Sequence, residues 1–156
     1  MSSWTKLRGW LLGGVLLLST AAASAGKSSV ALGEIELRAF DRVEGAIAKL
    51  EEVEDPFGMF VDAVFLVQVK GNFEGNKPMK LTVVVSAPKE ESEAGARRAW
   101  KVTQTRELHA LPQSGVIQVP FLMPYECASS VKVVATLTGP GVKDSKKLDT
   151  AFPCAE

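Results

Sequence analysis

One histidine, two cysteines and a cluster of carboxylates are where side-chain chemistry could concentrate in this 156-residue chain. A lone histidine becomes a catalytic base only when a nucleophile and an orienting carboxylate meet it. His109 ends a stretch whose Lys101, Thr103, Thr105 and Glu107 are polar at alternate positions, which assigns it to the solvent side. No serine lies in a Gly-x-Ser-x-Gly elbow, so no catalytic residue is assigned and a hydrolase ranks last among the function classes. Glu51, Glu52, Glu54 and Asp55 lack the alternating oxygen-ligand loop with its central glycine that calcium takes, and a solvated helix end accounts for them. A zinc site at Cys127 and Cys154 would call for further cysteine or histidine ligands. No metal and no cofactor is therefore expected.

What the cysteines can do depends on compartment. Lys6 and Arg8, the uncharged apolar run from Trp10 to Leu18, and the small residues Ala23-Ser24-Ala25 have the order of a cleaved signal peptide, with the cut before Gly26. The apolar run is about half of the roughly 20 residues a spanning helix needs, so no stable membrane span is expected after processing. A lipid anchor would need a cysteine at the cleavage site, and the first cysteine is Cys127. The expected organisation is a leader at 1–25 and a single domain at 26–156, placed in a periplasm or outside the cell.

In an oxidising compartment Cys127 and Cys154 should be bridged. If they face each other across antiparallel strands, Val131 falls opposite Thr150, Val133 opposite Leu148 and Lys132 opposite Asp149. That register pairs apolar with apolar on one face and opposite charges on the other, as cross-strand neighbours prefer.

Residues 26–156 hold 16 basic and 18 acidic side chains, a net charge of −2. Arg97, Arg98, Lys143, Lys146 and Lys147 are interspersed with Glu and Asp, with no basic stripe interleaved with aromatics, and nucleic acid is not an expected partner.

The elements carrying these residues read mostly as strands. Period-two alternation places them at about 30–38, 59–70, 80–87, 98–110, 115–122, 129–138 and 145–152. Gly71-Asn72, Gly75-Asn76, Lys89 to Gly95, Pro112 to Gly115, Pro124 and Gly139-Pro140-Gly141 supply the turns. One segment departs from this period: Val43, Ala46, Ile47, Leu50 and Val53 recur at helical spacing behind Asp41 and Glu44, which predicts a helix at about 42–54. The following strand is apolar on both faces, and the helix is expected to cover the second one.

Tyr125-Glu126-Cys127, just ahead of a strand, resembles the tyrosine corner of immunoglobulin-like domains. The resemblance covers the last third of the chain. It departs from the family in having no early cysteine, and Trp100 belongs to the fourth strand rather than to the family's tryptophan position. Seven short strands with turns at this spacing suggest a mainly β sandwich with one amphipathic helix (about 42–54) between the first two strands, and the resemblance implies that its antiparallel architecture is immunoglobulin-like or fibronectin type III-like. No binding residue is carried over, because such folds host many functions. Candidate surface residues are Lys89, Arg97 and Arg98 in the most charged loop, with Trp100 and Tyr125, although both aromatics also suit packing roles. The expected function is protein–protein interaction with another envelope or extracellular protein. A small-ligand or carbohydrate-binding module is the alternative.

Overall fold

The computed structural model describes residues 30–53, 60–72, 74–92, 95–112, 114–123 and 128–152. The expected leader, Tyr125, Cys127 and Cys154 lie outside them. The strands are β1 (Ala31–Asp41), β2 (Ala46–Ala48), β3 (Val61–Lys70), β4 (Glu74–Ala87), β5 (Glu90–Ser92), β6 (Gly95–Arg97), β7 (Trp100–Ala110), β8 (Val116–Leu122), β9 (Ala128–Gly139) and β10 (Val142–Phe152), the long ones built on alternating apolar side chains. They pair antiparallel as one sheet ordered β2-β1-β3-β8, a second ordered β10-β9-β4-β7, and a separate β5-β6 hairpin. The two four-stranded sheets form a sandwich.

Every second residue points inward. Phe65 pairs with Phe121 across β3 and β8, and both rings are buried with Leu81, Leu137, Val67 and Val133. Burying such side chains contributes about 1.5–3 kcal/mol each, and this apolar layer is the main source of cohesion. Among the described residues no polar or charged side chain is buried.

Polar side chains close the two sides of the sandwich. Gln104 on β7 donates to the Leu122 carbonyl on β8, and the Arg106 guanidinium lies 5.7 Å from the centre of the Phe121 ring. On the other side the Leu32 amide donates to the Asp144 carboxylate of β10 at 2.8 Å, where a register shift between Leu32 and Ile35 interrupts the β1–β3 pairing. The β9–β10 hairpin turns through Pro140 and Gly141, the latter at φ 70, the residue pair that a type II turn favours.

The structure corrects the sequence expectation in two places. Strands of seven residues or more lie near all the expected positions, but β2, β5 and β6 are additional, so the described strands number ten rather than about seven. The helix expected at 42–54 does not form over its described part: a turn at 42–45 is followed by β2 and a 3-10 turn at Leu50–Glu52. Asp41 makes cap-like bonds, its Oδ1 accepting from the Val43 and Glu44 amides, but no helix follows them. Gly45 then adopts φ 67 and its amide returns to the Asp41 carbonyl at 2.8 Å. A left-handed glycine closes a hairpin where an L side chain would be strained, and glycine weakens a helix interior by about 1 kcal/mol. The cap therefore starts a turn.

The β9–β10 register agrees with the expectation at Val131–Thr150, Lys132–Asp149 and Val133–Leu148, and shifts by one residue before Phe152–Ala128.

Candidate functional site

β3 is the strand with two apolar faces, and the second one is closed over Val64 and partly open at Leu66. Ala63, Phe65, Val67 and Val69 point into the core, so Val64 and Leu66 point outward. Register sets Arg38, Val64 and Leu122 side by side, and Glu36, Leu66 and Pro120 in the next row. Ile47 on β2 lies beside Phe40. Val64 is buried, whereas Ile47 is 47% and Leu122 52% exposed. Arg38, Ile47, Leu66, Gln118 and Pro120 line an open, shallow depression of about 440 Å³. Phe60, 61% exposed, stands immediately before β3, and its carbonyl accepts the Arg42 amide at 2.9 Å.

Two ion pairs share this face, that of Arg38 lying within it on β1. Arg38 Nε donates to Glu36 Oε2 at 2.9 Å, and a second guanidinium nitrogen reaches the same oxygen. Arg42 grips Asp62 with both carboxylate oxygens engaged, Nε to Oδ2 at 2.8 Å. That hydrogen bonding, with the guanidinium charge adding to it against partial desolvation, holds the Asp62 pKa below the ordinary carboxylate value. Aliphatic side chains interspersed with carboxylate-paired arginines suit a protein-binding surface, where arginine is enriched.

The loop from Lys89 to Arg98 folds as the β5–β6 hairpin. Lys89 is exposed and paired with Glu91 at 2.8 Å, Arg97 lies opposite Glu90, and Arg98 is exposed. Glu90 accepts from the Ser129 hydroxyl at 2.8 Å and from the Ser129 and Ser130 amides. These bonds, the Ser129 hydroxyl first, hold the Glu90 pKa below its usual value. The hairpin is thereby tied to the start of β9. Trp100 is half-buried and packs against the core. His109 is exposed on the outer face of β7.

The candidate residues chosen from sequence are thus not gathered into one place: Lys89, Arg97 and Arg98 belong to the hairpin, and Trp100 to the core margin. The surface at Arg38, Ile47, Leu66 and Leu122 was missed because Ile47 was assigned to a helix that would have covered Leu66. Two signals pointed to it: the doubly apolar β3, and Pro120 inside a strand, where proline is confined to sheet edges or bulges.

Among the described residues no group of three or more His, Cys, Asp or Glu side chains is placed to hold a metal ion. No helix among them is long and apolar enough to cross a membrane. No family model, curated protein or solved structure matches this chain.

Proposed function

We propose that this chain is an exported immunoglobulin-like domain that binds another protein of the cell envelope or extracellular space through the outer face of the β2-β1-β3-β8 sheet. The observation that carries the reading is the apolar surface at Ile47, Leu66, Pro120 and Leu122, exposed at Ile47 and Leu122 on the two edge strands and partly open at Leu66. Large exposed apolar side chains grouped on one face mark interaction sites more often than scattered ones do. The occupant that fits is a protein surface with an apolar centre, seated over Leu66 and reaching the Arg38 and Arg42 ion pairs.

Strand order supports the family resemblance. The first, second and fifth long strands (β1, β3, β8) share one sheet, and the third, sixth and seventh (β4, β9, β10) share the other, as in immunoglobulin sandwiches. The fourth, β7, joins β4 in the manner of the extra strand of variable-type domains. Export and a Cys127–Cys154 bridge belong to this proposal and rest on the sequence, both cysteines lying outside the described residues.

A small-ligand or carbohydrate-binding module would use the same depression. None of its five lining residues carries an aromatic ring for a sugar to stack on, and it is open to solvent, whereas ligand sites are concave and enclosing.

Cross-linking followed by pull-down from envelope and medium fractions tests the proposal, with an Ile47→Asp/Leu122→Asp variant as control. Both positions are exposed, so the variant keeps its fold. One protein captured by the wild type and lost from the variant is the expected result; equal recovery with both would overturn the reading.

A further inference from the structure

We propose that the outer face of the opposite sheet, β10-β9-β4-β7, docks onto an anionic lipid bilayer. Basic residues that are scattered in the sequence are collected there by register. Lys101, Ser86, Lys132 and Asp149 form one row across the four strands. Glu107, Lys80, Thr138 and Lys143 form another, and Lys147 extends the row of Val84 and Val134. Between them runs a line of hydroxyls, Thr105, Thr82, Thr136 and Ser145, in which the Thr82 and Thr105 hydroxyls lie 3.1 Å apart.

Five lysines against two carboxylates leave this face at +3, in a chain that balances 18 basic with 18 acidic residues. All five lysines are exposed. Among the described residues only Lys80 is in an ion pair, with Glu107 at 4.0 Å.

The residue types select the ligand. A site for one phosphorylated molecule favours arginine, whose planar fork grips two oxygens at once; lysine offers a flexible point charge suited to a diffuse negative surface. Single-stranded nucleic acid and sugars call for aromatic platforms, and the outward positions of these rows carry none. Four strands about 4.8 Å apart, with outward residues every ~7 Å, make a platform roughly 15 by 20 Å, broad enough to meet several headgroups together. Each lysine near an anionic leaflet is worth about 1 kcal/mol.

Co-sedimentation of the processed full chain tests this, using vesicles of phosphatidylcholine alone and of equimolar phosphatidylcholine and phosphatidylglycerol. The chain should pellet only with the anionic vesicles and be released as salt shortens the screening length. A Lys132→Gln/Lys147→Gln variant should bind roughly tenfold or more weakly, while Ile47→Asp/Leu122→Asp, on the other sheet, should bind as the wild type does. Equal pelleting with both vesicle types, no pelleting with either, or undiminished binding by the lysine variant would overturn the inference. Retention on heparin or DNA without vesicle binding would also overturn it, in favour of a soluble polyanion. Because the two faces carry separate variants, failure here leaves the protein-binding proposal to its own test.

Discussion

Asp62 is a carboxylate whose proton affinity is set by one neighbour. Arg42 lowers its pKa, and a group depressed in the folded chain adds stability above its unfolded value near ~3.9, a contribution lost as pH falls through the folded value. The thermal midpoint of the wild type should therefore exceed that of Asp62→Asn at neutral pH, and the gap should close below about pH 4. Glu90 is shifted in the same direction by Ser129 and Ser130, so Glu90→Gln should loosen the β5–β6 hairpin without unfolding the sandwich, read as faster amide exchange at Ser129 and Ser130. Asp144 ties the interrupted start of β1 to β10. Asp144→Ala strands the Leu32 amide in a part-buried site and should cost about 1–3 kcal/mol in a urea titration.

At the scale of elements, the long strands were legible because their alternation is strict: Met79, Leu81, Val83, Val85 and Ala87 all point inward from β4. The β1–β2 hairpin was hidden because Asp41 makes the same capping bonds in a turn as at a helix start, and only the backbone angle of Gly45 separates the two. The lysine face was hidden for another reason. Lys80, Lys101, Lys132, Lys143 and Lys147 come from four strands, and nothing in their linear order shows that pairing sets them together, although the alternate positions of each strand at that face are mostly Lys, Thr, Ser or Val, with Glu107 and Asp149 the exceptions. Edge strands also carry a message. Arg106 on β7 and Lys146 on β10 belong to inward-facing rows of edge strands yet remain exposed, and inward charge at a sheet edge discourages strand addition. Arg106→Val/Lys146→Val should make the chain associate as concentration rises, read by light scattering, while the wild type scatters as before.

The molecule as a whole presents two sheet faces of contrasting chemistry, one apolar with paired arginines and one rich in lysine and threonine. A domain of this kind can hold a protein on one side while resting on an anionic surface with the other. Under the proposal of export, the mature N-terminus should begin at Gly26, read by intact mass of the exported form, and alkylation should find no free thiol. Losing a Cys127–Cys154 bridge should cost about 3–4 kcal/mol for a loop of this length. The most direct test of the protein-binding face is photo-cross-linking from a reactive residue placed at position 122 or 47, with position 103 on the lysine face as comparison. One common protein adduct is expected from positions 122 and 47, none from 103, with loss of the position 122 adduct when Ile47→Asp is added. An adduct from 103 alone, or one from 122 that survives Ile47→Asp, would contradict it.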